Sequence, residues 1–294
     1  MTLTVACRAT DQDKHRNDVN SLLFHKGKLY SGGDDGLVKV WSDDLVKQQE
    51  VQAHASSVYS LAASEDSLYS CSNDGTVKQW DLNTLAPKGT LIDEKQKEFY
   101  KLVYAIGRLF VADNEGNVNV YKDNKYQGQV DVAENVKDLV VSGHFIFTVK
   151  DLDLIVAEIK LDGDSVQYGY KAEFMGRAPV TLIGDKLLAF VAREGKEILL
   201  HQNSEAAKFG QAARIAHGSE LIINALAGAQ WGNEEVLFSG GWDKLVRKWK
   251  IRNGSPSDEG SANVDIVVNS LATGSAGSVY AGGSDGHLVR VDVS

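Results

Sequence analysis

Histidine, serine and aspartate, the side chains of a hydrolytic triad, recur in this chain at fixed intervals. His15, Ser31 and Asp35 are spaced 16 and 4 residues apart, and His54, Ser70 and Asp74 repeat that spacing. His217, Ser239 and Asp243 form a third trio with a longer first interval. In a triad the imidazole would take the serine proton while the carboxylate orients the ring. Here the trio is repeated, and each serine sits inside a strand-like run with no Gly-x-Ser-x-Gly elbow to expose it. The repetition points to a structural role, and no catalytic residue is assigned.

Other chemistries fare no better. The seven histidines include no HExxH and no pair at metal-ligand spacing, and Cys7 and Cys71 form no CxxC. The strings GGDDG (32–36) and GGSDG (282–286) lack the lysine and the strand-to-helix setting of a phosphate loop. They read as hairpin turns. A catalytic pair of carboxylates has no specific support either, because seven acids are needed for turns. No cofactor or metal is expected.

The elements that must position these residues are short strands. Runs of five or six residues rich in β-branched side chains alternate with Gly, Asp and Asn clusters, and long helical periodicity is absent. The string SGGDDGLVKVW (31–41) returns as SCSNDGTVKQWD (70–81), SGGWDKLVRKWK (239–250) and AGGSDGHLVRVD (281–292). Weaker copies start at 111, 148 and 191. The turn acids Asp35, Asp74, Glu115, Asp151, Glu194, Asp243 and Asp285 lie 36 to 49 residues apart, around the period of about 40–45 expected of four-stranded propeller blades. One such sheet cannot bury both faces alone, so seven of them must stack radially. The expectation is all-β: a single seven-bladed β-propeller over residues 1–294.

The phase of the repeat fixes how the ring closes. The last copy supplies three strands, near 267–272, 278–282 and 287–292. Residues 2–8 alternate Leu3, Val5 and Cys7 against Thr2, Thr4 and Ala6, as a half-buried strand does. They are expected to form the outer strand of the last blade. The polar segment Arg252–Asn263 is expected to be a mobile surface connection, with Asn253-Gly254-Ser255 a chance glycosylation triplet.

Composition narrows the setting. Apolar residues at 43% and charged residues at 24% suit a globular core. Apolar runs such as 139–141 fall far short of the roughly 20 residues that span a bilayer, and the start MTLTVACRAT does not read as a secretory signal. Two cysteines suggest a reducing compartment, so an intracellular location, cytoplasmic or nuclear, is expected. A net charge of −9 disfavours nucleic acid and anionic membrane surfaces as partners.

With these repeats in view, the chain resembles the WD-repeat, or β-transducin-like, family over essentially its full length. Trp80-Asp81 is the signature dipeptide, and Trp41-Ser42 and Trp249-Lys250 are variants of it. The resemblance implies that His15, Ser31, Asp35 and Trp41 form a buried hydrogen-bonded set. His54, Ser70, Asp74 and Trp80 would form a second, and His217, Ser239, Asp243 and Trp249 a third. Blade three departs from the pattern, with Lys95 where the histidine would be and Tyr121 in the place of tryptophan.

The resemblance also implies function: a non-catalytic scaffold within a multiprotein complex, binding a peptide or domain surface at the narrow face around the central channel. Inner-strand positions carried over are Asn20, Tyr59, Tyr100, Lys137, Val180, Asn224 and Asn269. Turn positions are Asp34, Asn73, Asn114, Lys150, Arg193, Trp242 and Ser284. Trp242 stands out, because sister turns carry small polar residues there and aromatic side chains dominate interface hot spots. Tyr59 and Tyr100 would extend the contact. Lys137, Lys150 and Arg193 suggest a basic sector for an acidic or phosphorylated peptide. Two narrower readings stay open. One is a substrate-recognition subunit of a ubiquitin ligase, since Trp249-Lys250-Ile251-Arg252 is similar to the Trp-Asp-x-Arg docking motif. The other is a propeller enzyme with a small-molecule site in the channel.

Overall fold

A computed structural model describes residues 2–132, 134–163, 165–275 and 277–293. The strands assemble into seven four-stranded antiparallel sheets. Blade one, Val19–His25, Lys28–Gly33, Leu37–Trp41 and Lys47–Gln52, sets the pattern. The inner strands of the following blades are Val58–Ala63, Phe99–Ala105, Val136–Ser142, Arg177–Ile183, Ile223–Trp231 and Val268–Thr273. Each packs against the inner strands on either side, and the seventh packs against the first. The sheets form a closed ring of seven blades.

Burial follows position in the blade. The second strand of blade one is buried from Leu29 to Gly33, whereas its outer strand alternates half-buried and exposed residues. Apolar side chains meet between sheets rather than in one central core. Between blades one and two, Tyr30, Val38 and Val40 meet Val58, Leu61 and Trp80. Between blades seven and one, Tyr280 and Leu288 meet Val19, Leu29 and Trp41. A sheet buried on both faces in this way has no stable existence outside the ring.

Two glycine positions show why the repeat has its spelling. Gly36 has φ +74°, and a Cβ there would lie 2.4 Å from the carbonyl oxygen of His54, so both conformation and contact exclude other residues. The first glycine of each Gly-Gly pair has a different role: a Cβ at Gly32 would lie 2.6 Å from Val58 Cγ1 on the next blade. It is a close-approach site between sheets.

Closure uses both ends of the sequence. Leu3–Arg8 pairs antiparallel with Leu288–Val293 and completes the last sheet. Leu3 is buried while Thr4 and Ala6 are exposed. A bulge between Val5 and Cys7 rotates the strand, so that Leu3 and Val5 pack toward blade six and Cys7 toward blade one.

One expectation is corrected. Ser255–Asn263, read as a mobile connection, is the outer strand of blade six, paired with Leu245–Arg252. Asn253 and Gly254, with φ of 51° and 76°, form the two-residue turn that joins them, the Asn-Gly pair that such hairpins favour. An outer strand exposed over most of its length can be largely polar, which is why its composition reads as a loop.

Candidate functional site

The two regular His–Ser–Asp–Trp sets are assembled within single blades. In blade one, His15 Nδ1 lies 2.9 Å from Asp35 Oδ1, and Nε2 lies 2.7 Å from Ser31 Oγ. Trp41 Nε1 donates to the same Ser31 oxygen at 2.8 Å. With Nδ1–H donating to the carboxylate, Nε2 accepts the serine proton, an arrangement close to that of a triad. In blade two, His54 spans Asp74 and Ser70 at 3.2 and 2.8 Å, and Trp80 donates to Ser70 at 2.9 Å. Ser31 and Ser70 are both 0% exposed, so no substrate carbonyl reaches either hydroxyl. These sets join the inter-blade loop, second strand, turn and third strand of one sheet.

Electrostatics agree with a structural role. Burial drives the pKa of His54 down to about 4, against the pull of Asp74. Burial opposes ionisation of Asp35, yet its hydrogen bonds to His15 and the amides of Arg16 and Leu37 hold its carboxyl below the usual range. Sequence reasoning missed one member. Lys39 Nζ donates to the carbonyls of Asp13 and Lys14, and Lys78 Nζ to that of Ala53. The signal was there: a lysine two residues before each of these tryptophans.

Blade six is built differently from the expected set. Trp249 Nε1 donates to Ser239 at 3.2 Å, but His217 is exposed on a turn. The residue four positions before the inner strand, occupied by His15 and His54 in blades one and two, is here Ser219. Its hydroxyl donates to Asp243 at 2.5 Å, and Arg247 holds the same carboxylate at 2.6 Å. Chain spacing failed because the first and second strands of blade six run to nine and eight residues, against seven and six in blade one. In blade three Lys95 is an exposed partner of Asp93, while Lys97 reaches the fully buried Asp113.

The channel is where the inner-strand residues meet. It encloses about 470 Å³, and Asn20, Tyr59, Tyr100, Lys137, Asn224 and Asn269 all line it. A local device repeats in these six blades. The register shifts between Val19 and Ser21, Val58 and Ser60, Phe99 and Lys101, Val136 and Asp138, Ile223 and Ala225, and Val268 and Ser270. The extra residue in each bulge is the channel-lining side chain, as expected where a bulge re-aims one residue. Blade five differs: its shift spans Ala178 and Pro179, and Val180 is largely buried.

The lining is aromatic on one side and charged on another. Tyr59 and Tyr100 have ring centroids 5.2 Å apart, and Lys137 Nζ lies 5.3 Å from the Tyr100 ring. Burial and the hydrogen bond to Glu98 raise the Tyr100 pKa to about 12. Asn20 donates to Asp34 at 2.6 Å and Asn269 to Asp18 at 3.1 Å, so these amides tie loop carboxylates to the inner strands. Absent from the sequence reading are Lys101 and Asp138, paired at 2.8 Å, and Arg177.

The turn residues are dispersed. Lys150 pairs with Glu134 at 3.6 Å and lines a separate groove with Tyr170 and Glu173. Arg193 is exposed and lies 3.7 Å from Met175 Sδ. Lys137, Lys150 and Arg193 therefore do not converge on one point. Trp242 is 55% exposed, and its amide donates to the carbonyl of Ile222 at 3.0 Å. Leu221, Ile222 and Met175 are exposed as well. A Cβ placed on Gly195 would lie 3.5 Å from Ile222 and 3.4 Å from Arg177 Nη1, which connects this apolar ridge to the channel wall. Among the described residues no group of three His, Cys, Asp or Glu side chains could hold a metal ion.

Comparison with known proteins places the fold. The family model for the WD domain, G-beta repeat, matches residues 7–42 and 45–81, corresponding to the first two blades. The crystal structure of the WD40 beta propeller domain of Doa1 superposes with a TM-score of 0.79 at 18% identity, covering 99% of this chain and 97% of that one. U3-55K gives 0.80 at 16% identity, covering 99% and 98%. The computationally designed Ika8 protein gives 0.69 at 18% identity, covering 96% and 98%. No curated protein matches in sequence. The chain is a seven-bladed β-propeller whose first two blades match the WD40 repeat.

Proposed function

We propose that this propeller is a non-catalytic platform that binds a peptide or domain surface of a protein partner at the channel end of the ring. The observation that carries this reading is the continuity of an exposed apolar ridge with a lined channel. Trp242, Leu221 and Ile222 are 55%, 48% and 37% exposed, and Ile222 and Arg177 of the channel wall both border Gly195. Folding does not require a large exposed indole beside a turn acid, and indoles next to a cavity are typical interface anchors. Tyr59, Tyr100 and Lys137 extend the surface inward. Asn20, Asn224 and Asn269 complete the lining with side-chain amides that can also meet a bound main chain.

The partner proposed is a protein, held in a multiprotein complex, rather than nucleic acid or membrane, in keeping with a net charge of −9. The free cysteines Cys7 and Cys71 support a cytoplasmic or nuclear setting. The channel, at about 470 Å³, also has the dimensions of a small-molecule site, which is the second reading.

The test is affinity capture from native lysate with wild type and with a Trp242→Ala/Tyr59→Ala/Tyr100→Ala variant of matched melting temperature. Species retained by wild type and lost by the variant support the platform. Equal retention by both overturns the assignment to this end of the ring.

A further inference from the structure

Among the described residues four charged side chains, Lys101, Lys137, Asp138 and Arg177, line the channel, and they are unevenly matched. Asp138 is 6% exposed, and its two oxygens are engaged by Lys101 at 2.8 Å and by the Val180 amide at 2.9 Å. Lys101 and Asp138 thus neutralise each other. Arg177, half-buried at the start of the blade-five inner strand, has no carboxylate within 4 Å and donates no hydrogen bond among the described residues. Lys137, on the neighbouring blade, has among the described residues only the Tyr100 ring beneath it, at 5.3 Å. Two positive charges on adjoining blades therefore face the channel unneutralised, in a protein of net charge −9.

The carboxylates near this end do not answer them. Asp34 is held by Asn20, Asp18 by Asn269 and the Asp285 amide, and Glu98 by the Tyr100 hydroxyl. Asp34 and Asp18 stand on the side of blades seven and one, across the ring from Arg177, and Glu98 is engaged by the hydroxyl of the Tyr100 ring beneath Lys137. A guanidinium withdrawn from water without a counter-charge is costly unless a ligand supplies one. Guanidinium and ammonium together match a phosphate dianion in charge, and the guanidinium can offer two parallel N–H donors to an oxyanion.

We propose that Arg177 and Lys137 form an oxyanion site on the blade-four and blade-five wall of the channel. It receives an acidic side chain of the peptide partner, phosphorylated or carboxylate. The peptide as carrier rests on the platform reading; the anion site itself does not. The Trp242–Ile222 ridge, which borders Gly195 as Arg177 does, would take an apolar residue of the same peptide.

The probes are capped phosphoserine, capped glutamate and capped glutamine, titrated into the whole protein at low ionic strength. Backbone amide shifts of Gly195 and Lys137 report binding by nuclear magnetic resonance. Saturable shifts are expected with phosphoserine, weaker ones with glutamate and none with glutamine. Arg177→Gln should weaken phosphoserine binding by about tenfold or more without moving the melting temperature, and Arg177→Lys should recover part of it. No saturable shift with either anion, equal shifts with glutamine, or full binding by Arg177→Gln overturns the site. Partner capture that depends on Trp242, Tyr59 and Tyr100 but not on Arg177 removes the anion site and leaves the platform. Anion binding with no rim-dependent partner does the reverse.

Discussion

Ser31→Ala deletes a single oxygen from the centre of a buried set and leaves the backbone untouched. That oxygen accepts from Trp41 Nε1 at 2.8 Å and faces His15 Nε2 at 2.7 Å. Both partners are at most 1% exposed, so water cannot replace it. Stranding a buried polar group costs about 1–3 kcal/mol, so the two losses together destabilise by about 2–6 kcal/mol. An unfolding entropy of about 2.1 cal/mol/K per residue turns this into a fall in melting temperature of about 3–10 °C. Ser219→Ala is the internal control. It removes a hydroxyl from a half-exposed residue whose partner Asp243 keeps Arg247 and the Leu245 amide. Its cost should stay within about 1 kcal/mol. Scanning calorimetry with urea denaturation measures both variants, and a double-mutant cycle with Trp41→Phe isolates the serine–indole coupling. If Ser31→Ala melts within about 1 °C of wild type, or no lower than Ser219→Ala, the reasoning about the buried sets is wrong.

Three further outcomes are expected. His54 takes a proton near pH 4 when folded and near its ordinary 6.5 when unfolded, so the unfolded chain binds more protons between those values. Its contribution is complete above pH 6.5 and shrinks by about 3 kcal/mol as pH falls through that window. Urea midpoints of wild type should therefore fall more steeply than those of His54→Gln between pH 6.5 and pH 4, and parallel curves would refute this. Deleting residues 2–8 removes the outer strand that Leu3, Val5 and Cys7 anchor. Losing their burial should cost about 3–6 kcal/mol and lower the melting temperature sharply; an unchanged melt contradicts closure by this strand. Trp242→Ala alone should leave the melting temperature within about 1 °C, because the side chain is 55% exposed. A large loss of stability would show that the indole serves packing instead.

The sequence carried the ring well, because the blade is specified locally. A turn acid, a positive-φ glycine and an alternating strand recur within a dozen residues, and seven such sentences leave one way to bury every face. The channel residues were legible for the same reason. Each follows the apolar residue that starts an inner strand, as in Val19-Asn20-Ser21 and Phe99-Tyr100-Lys101, and the bulge acts on that one position. What escaped depends on register between segments. His217 matches the motif in type, but the longer strands of blade six place Ser219 where the histidine would act. Lys97 outcompeted Lys95 because the working acid of blade three is Asp113, at a strand end rather than at the turn. Arg177 and the Lys101–Asp138 pair come from blades whose turns have drifted from the repeat, and only the closed ring brings them to one wall. Asn253-Gly254 was the opposite case: a local hairpin signal was present, and the polar composition around it concealed it.

The central claim, that the channel end is the working surface, is tested most directly by site-specific photo-crosslinking. Benzoylphenylalanine would replace Trp242 in one protein and Val46, an exposed residue in the blade-one turn at the opposite end, in another. Both would be irradiated in native lysate under identical conditions. The account predicts a discrete adduct from position 242 that is absent from position 46 and is competed by unlabelled wild-type propeller. A discrete, competed adduct from position 46 with none from position 242 would contradict it and place the partner on the other end of the ring.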